Sequence, residues 1–237
     1  MIVGAVTECE DSAALKESVQ QITQFLATAV NQGFSDADPQ DLASKEALIN
    51  CAGFLGTEFS VYMPVLLDTI VRDSQLSLDF KMQSADQPVT DTNAGFNVKV
   101  NLIKGMGEQR VSMNTENLVR KTGAFAVLNK ISENMGRAFQ PFVEPLLPII
   151  SAHMAYDHSK GIRKLALKTF KHMLVAVGEP QNTQLFQQSF PMYVEQLQKA
   201  LSRHDDKTTR IVMKSLAQNI KALGHCNSDL SALLNDE

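Results

Sequence analysis

The sequence predicts an all-α fold: an α-α superhelix of about five stacked helix pairs with one inserted loop or β-hairpin. Two observations predict it. Apolar stretches with helical spacing alternate with glycines that would end them, at Gly56, Gly136, Gly178 and Gly224. Hydrophobic residues make up 44% of the chain but aromatic residues only 6%, and Trp is absent. That balance is typical of a folded chain whose helices pack through aliphatic side chains.

The spacing of these glycines gives the length of the repeat. Successive glycines are 80, 42 and 46 residues apart, so the first interval equals about two periods, or one period plus an insertion. Repeats of about 40–47 residues built from helix pairs are typical of HEAT and armadillo solenoids. Because solenoids usually offer an extended binding surface, the spacing predicts protein partners rather than catalysis.

Two helices are predicted before Gly33. Residues 1–9 have the pattern of the end of a helix. A second helix begins at Asp11 or Ser12 and runs to about Val30, because its apolar residues recur every three or four positions, on one helical face.

Asp38 and Pro39 predict the start of the next helix. An Asp side chain caps unpaired amides, and Pro suits the first helical position because it lacks an amide. This helix would end before Gly56, and its partner would run from Phe59 to Val71. The same phrase, with Phe three residues after Gly and then Leu-Leu, recurs after Gly136, which supports a repeat.

Residues 73–112 interrupt the helical pattern. Two short runs within them, 78–82 and 96–102, alternate apolar and polar residues and are separated by turn formers. Such alternation predicts strands joined as a hairpin. Removing these 40 residues from the 80-residue interval restores one repeat period. The predicted organisation is therefore a single solenoid, 1–237, with an insertion at 73–112.

The rest of the chain predicts further helices with polar caps. They run from Asn114 or Thr115 to Met135, from Phe139 to Met154, from Asp157 to Val177, from Asn182 to about Ser202 with a break at Pro191, from Asp205 to Leu223, and onward from Ser228. The helix pattern starts and ends within a repeat. We therefore expect a fragment whose cut repeat ends expose apolar surface and self-associate.

Several phrases resemble the β-karyopherins of the importin-β superfamily, and the importin beta-3 type in particular. The matching phrases are Phe34–Gln40, Leu55–Leu67 and Asp157–Gly178, with an insertion after the second. The likeness covers roughly residues 20–224 and implies the central to C-terminal repeats of such a receptor. The insertion departs from the family, whose inserted segment is more acidic and carries a Trp, whereas this one has mixed charge and lacks Trp.

This resemblance implies part of a nuclear transport receptor that works in the cytoplasm and nucleus. The implied partners are cargo with a localisation signal, Ran-GTP and Phe-Gly nucleoporins. A HEAT-repeat scaffold of another class, such as a phosphatase regulatory subunit or a translation-control scaffold, stays open because a fold alone does not fix a function.

A basic stripe is the first candidate for partner binding. Lysines spaced 4, 4 and 3 residues apart follow one helical face, with an arginine beside them: Lys160, Arg163, Lys164, Lys168 and Lys171. The stripe suits an acidic partner surface such as Ran or an acidic cargo, or it is simply a solvated outer face. Residues 1–112 carry a net charge of −8 and residues 113–237 a net charge of +4, a polarity that can steer partners.

An acidic patch is the second candidate. Asp36, Asp38 and Asp41 could attract a basic localisation signal. Carboxylates at the start of a helix also cap its amides and offset its dipole, so capping is the alternative.

Other classes of function lack their sequence signals. The chain contains no phosphate-binding glycine motif, no nucleophile elbow and no zinc-ligand spacing, so we expect no enzyme, no cofactor and no metal. Nucleic-acid binding is not expected, because aromatic residues are not interleaved with the basic ones. No run of about 18 apolar residues occurs, so we expect no membrane insertion. The three scattered cysteines fit a reducing compartment.

Overall fold

A computed structural model describes residues 12–34, 38–79, 81–84, 96–103 and 107–226. The α-helices in these residues are α1 (Ser12–Gln32), α2 (Pro39–Leu55), α3 (Met63–Ser74), α4 (Thr115–Met135), α5 (Val143–Met154), α6 (Lys160–Val177), α7 (Gln181–Ser202) and α8 (Asp206–Cys226). The strands are β1 (Lys81–Ser84), β2 (Phe96–Ile103) and β3 (Gly107–Asn114). The helices predicted in residues 1–9 and from Ser228 lie outside the described residues.

The helices stack as a solenoid, which confirms the predicted all-α fold. Helices α2, α4, α6 and α8 contact one another in turn and form a first row, and α1, α3, α5 and α7 pack against that row. Among the described residues, helices that follow each other in the chain give three complete repeats, α2–α3, α4–α5 and α6–α7, with α1 before them and α8 after them. One core cluster runs from Ala27 in α1 to Val212 in α8, so each repeat shares its core with the next.

Helix caps follow the sequence closely at most positions. Asp38 Oδ1 accepts a hydrogen bond from the Gln40 amide at 2.9 Å, and Asn114 Oδ1 accepts one from the Asn117 amide at 3.0 Å. The predicted cap at Asp157 is wrong: Ser159 Oγ receives the Ile162 amide at 3.3 Å. Asp157 lies two residues earlier and is engaged by cations instead.

Two helix interruptions predicted from the sequence are absent. Helix α7 continues through Pro191, and α8 continues through Gly224 to Cys226. Pro191 lies on an exposed face of α7, where water can satisfy the carbonyl whose amide partner is missing. In both helices the helical spacing of apolar residues therefore outweighed the single Pro or Gly that was expected to end or break the helix.

Gly56 and Gly136 end α2 and α4 in the same unusual conformation. Their φ angles are +55° and +53°. Each opens a seven-residue 3-10 helix, Gly56–Tyr62 or Gly136–Phe142, and the two 3-10 helices contact each other. The predicted continuous helices from Phe59 and Phe139 are thus wrong at their starts. Prolines at the junctions, Pro64 and Pro141, lack the amides that a continuous α-helix would need.

Gly136→Ala should lower the free energy of unfolding by about 1–2 kcal/mol. An added Cβ meets nothing within 4 Å, so the cost is the strain of an L-residue at positive φ. Gly123→Ala is the matched control inside α4, where a Cβ also meets nothing within 4 Å and should stabilise by about 0.5–1 kcal/mol. Urea denaturation measures both. Equal changes at the two sites would contradict this role for Gly136.

The segment between α3 and α4 forms a three-stranded antiparallel sheet in the order β1-β3-β2. The predicted hairpin between the two alternating runs is wrong, because β1 and β2 each pair with β3 and not with each other. Val111 of β3 lies opposite Met82 of β1 on one side and opposite Lys99 of β2 on the other. The sequence missed β3 because its residues, Gly-Glu-Gln-Arg-Val-Ser-Met-Asn, are mostly polar and alternate weakly. The division of the chain into one solenoid and one insertion stays a prediction.

Candidate protein-binding surface

Buried ion pairs join neighbouring repeats at the base of the insertion. Asp73, at the end of α3, is 2% exposed. Its carboxylate lies 3.0 Å from Lys45 Nζ of α2 and 2.9 Å from Arg120 Nη2 of α4. Lys121 of α4 also donates to the Leu76 carbonyl at 3.2 Å. These contacts fix the point where the inserted sheet leaves the solenoid.

A second cluster of ions forms after α5, around Asp157. Arg163 Nη2 lies 2.9 Å from Asp157 Oδ1, Lys199 of α7 binds Oδ2, and Arg203 Nη1 lies 3.7 Å from Oδ2. The hydrogen bond from Lys199 is the main reason that the pKa of the Asp157 carboxyl falls below its usual value. Arg163 also donates to the Tyr156 carbonyl and to Thr208 Oγ1, each at 3.0 Å.

Arg163 is therefore not part of an exposed surface. Only 3% of this residue is exposed, and its guanidinium ties α6 to the start of α8. It lies 42 residues after Lys121 of α4, the same interval as between Gly136 and Gly178, and Lys121 is likewise buried, at 5% exposed. The sequence shows the recurrence of a cation at this position, but not that the side chain points inward.

Lys160 is also engaged within the protein. Its ammonium donates to Asp205 Oδ1 at 2.7 Å, while Thr208 Oγ1 donates to Asp205 Oδ2 at 2.7 Å. The bond from Lys160 is the main cause of the lowered pKa of the Asp205 carboxyl. The predicted stripe is thus divided, since two of its five cations bind internal carboxylates or hydroxyls.

Two other members of the stripe line a groove between α6 and α8. Lys164 and Lys168 from α6 lie along one wall, and Arg210 and Lys214 from α8 lie along the other. The groove has a volume of about 310 Å³. We call it the basic groove, defined by the residues Lys164, Leu167, Lys168, Arg210, Ile211, Lys214, Ser215 and Gln218. Among the residues that the structure describes, its four cations form no ion pair.

Sequence reasoning missed Arg210 and Lys214, although a signal for them exists. Arg210 follows Lys164 by 46 residues, and Lys214 follows Lys168 by the same 46 residues. This offset equals the interval between Gly178 and the next repeat glycine. The two cations of α6 are therefore repeated at the same positions of α8, and the contact between α6 and α8 brings the two sets together.

Two titratable groups near the end of α6, Lys171 and His172, do not add positive charge to the groove. Lys171, the last member of the stripe, does not line it. His172 is neutral near pH 7, because burial, and then the neighbouring Lys171, lower its pKa to about 4. Ser215 in the groove floor is 3.1 Å from the Tyr193 hydroxyl of α7, which links α8 to its neighbour.

The acidic patch does not form a free acidic surface in the described residues. Asp38 caps α2, and Asp41 lies 2.7 Å from Lys45 Nζ. Asp36 lies outside the described residues. These contacts match the capping alternative for Asp38 and add an ion pair for Asp41.

Apolar side chains bear on two of the expected kinds of contact, nucleoporin docking and self-association. Phe125, Phe139 and Phe170 are buried in the core, as expected, so none of them forms a docking surface. The end helices expose apolar side chains, with Phe25 of α1 73% exposed and Met213 of α8 52% exposed. Self-association through these ends stays a prediction.

The described residues contain no group of three or more metal-ligand side chains close enough to hold a metal ion. One stretch, Gln40–Ser74, is long and apolar enough to cross a membrane by length and composition. Gly56 divides this stretch, and its Leu48, Phe59 and Leu66 lie in the core. Helices of a protein core pass the same test of length and composition.

Comparisons with known proteins give matches of fold. No protein-family model matches the sequence, and a search of curated proteins found no match. The crystal structure of Kap121p matches 90% of this chain with a TM-score of 0.70 and 15% sequence identity. The crystal structure of Kap121p bound to RanGTP matches 87% of this chain with a TM-score of 0.68 and 14% sequence identity. The karyopherin Kap121p bound to the SUMO protease Ulp1p matches with a TM-score of 0.65 and 15% identity over 90%.

This chain spans about a fifth of the length of those proteins. At such low sequence identity the likeness concerns the fold alone. The features that this chain contributes to that likeness are its two rows of stacked helices. The chain has the helical-repeat fold of the karyopherin Kap121p.

Proposed function

We propose that this chain is part of a nuclear transport receptor of the importin-β superfamily, of the importin beta-3 type. It binds cargo, Ran-GTP or nucleoporins through its helical-repeat surface and works by binding, without catalysis, in the cytoplasm and nucleus. The observation that carries the proposal is the fold likeness over 87–90% of the chain. Kap121p, which has this fold, has been crystallised with RanGTP, with Pho4p and with Nup53p.

The architecture suits such a role. Each ion cluster, at Asp73 or at Asp157, joins only adjacent repeats, so small adjustments at each junction add along the stack. A partner that contacts several repeats can thereby favour one curvature and change the affinity for a second partner. The described basic groove supplies a surface of unneutralised charge on the first row of helices.

Binding to immobilised Ran-GTP and to Phe-Gly nucleoporin repeats tests the proposal. We expect the chain to bind at least one of them. If Ran-GTP binds, the double substitution Lys164→Glu and Lys168→Glu should weaken that binding at least about tenfold, because two attractions become repulsions. Surface plasmon resonance measures both interactions, and Lys171→Glu is the control on the same helix.

The alternative is a HEAT-repeat scaffold of another class, a phosphatase regulatory subunit or a translation-control scaffold. Failure of the chain to bind Ran-GTP and Phe-Gly repeats, together with capture of a phosphatase catalytic subunit or of ribosomes, would favour it and count against the transport proposal.

A further inference from the structure

We propose that the basic groove binds an extended acidic segment of a partner protein, with an aliphatic side chain of that segment seated between α6 and α8. The inference deepens the proposed function by naming the chemistry of a partner. It rests on that function only in treating the solenoid as a protein-binding surface.

The charge of the groove is the first argument. Two other cations of α6 are neutralised within the protein: Lys160 binds Asp205, and Arg163 binds Asp157. In the groove, Lys164 and Lys168 face Arg210 and Lys214, and none of the four has a carboxylate partner among the described residues. Four cations around one depression create a positive potential that favours a carboxylate-rich ligand.

The spacing of the cations is the second argument. Each wall carries two cations four residues apart on a helix, which places them about 6 Å apart. An extended chain rises about 3.3 Å per residue, so every second side chain recurs after about 6.6 Å. Alternate carboxylates of an extended segment can therefore meet successive cations along a wall. The recurrence of both cations after 46 residues gives the two walls the same spacing.

The floor of the groove is the third argument. The apolar residues that line the groove are the partly buried Ile211 and Leu167, which is only 2% exposed, so most of the groove's apolar surface comes from Ile211 and the aliphatic stems of the lysines. An aliphatic side chain of the ligand can cover it. None of the described residues that line the groove is aromatic, so nucleic-acid bases would find no ring among them on which to stack. The lining thus favours an acidic peptide over a single-stranded nucleic acid.

A peptide-binding experiment with the whole chain tests the inference. The probe is a short fluorescent peptide of Asp and Glu residues with two Leu residues, and fluorescence anisotropy measures its affinity. We expect saturable binding that weakens as salt is raised, because exposed charges are screened. Replacing the two Leu residues of the peptide by Gly should also weaken binding, without any change to the protein.

Matched variants separate the groove from the overall charge of the protein. Lys168→Glu and Lys214→Glu should each weaken binding at least about fivefold, since each replaces an attraction by a repulsion. Lys207→Glu makes the same change of charge in the first turn of α8, outside the groove, and should change binding less than about twofold. The four cationic side chains of the groove are all solvent-exposed, so these variants should fold.

Three results would overturn the inference: no binding of the peptide, an equal loss in the Lys207→Glu variant, or equally tight binding of a single-stranded oligonucleotide of the same charge. The experiment also separates the two proposals. Peptide binding without binding to Ran-GTP or Phe-Gly repeats would support the groove and count against the transport function. The reverse result would refute the groove and leave the transport function supported.

Discussion

Asp73→Ala should lower the free energy of unfolding by about 3 kcal/mol. Removing one partner of a buried ion pair typically costs about 3–5 kcal/mol, because the other charge stays buried without compensation. Here Lys45 is 6% exposed and loses a carboxylate at 3.0 Å. It keeps Asp41 at 2.7 Å, which places the expected cost at the lower end of that range.

Urea denaturation followed by circular dichroism measures this change. Asp68→Ala is the matched control, because Asp68 lies on the same helix but is exposed, and it should shift stability by less than about 0.5 kcal/mol. A loss at Asp73 no larger than the loss at Asp68 would contradict the structural role of the buried carboxylate. A larger loss would show that the junction between α2, α3 and α4 depends on it.

Phe139→Ala should lower the free energy of unfolding by about 3–5 kcal/mol. Phe139 is fully buried within the second 3-10 helix, which packs against the first 3-10 helix and against α6. Truncation removes the buried ring and leaves a cavity that rigid neighbours fill only in part. The equivalent residue of the preceding repeat, Phe59, is also fully buried.

Thermal and urea unfolding measure the effect of this truncation. Phe25→Ala is the control for the same chemical change, because Phe25 on α1 is 73% exposed; its effect should stay below about 1 kcal/mol. Comparable losses of unfolding free energy at both positions would show that burial of Phe139 in its 3-10 helix does not decide stability. They would also imply that Phe25 is covered in solution.

Local sequence patterns predicted most helices because those patterns act through short-range physics. Apolar residues with helical spacing, the caps at Asp38 and Asn114, and the glycines at positive φ each depend only on neighbouring residues. The glycine interval likewise predicted the solenoid, since the repeat length is a property of the chain itself. These features required no knowledge of what packs against what.

Errors arose where packing overrode a local signal. Pro191 was expected to break a helix, yet α7 continues through it, because the loss of one hydrogen bond on an exposed face is small beside the burial of the opposite face. Strand β3 was missed because a polar strand that pairs on both sides carries little alternation of its own. The 3-10 helices were likewise read as the first turns of α-helices.

The candidate surface shows the same division between sequence and tertiary structure. Helical spacing by itself placed Lys164 and Lys168 on one face of a helix. The repeat length carries a signal for Arg210 and Lys214 at the same positions one repeat later, but these two residues were missed. The tertiary structure decided that Arg163 turns inward, that Lys160 binds Asp205, and that the four other cations face one another across a groove. Periodicity fixes the direction of a side chain relative to its own helix, but the neighbouring helix determines whether that direction leads to a carboxylate, to the core or to open solvent.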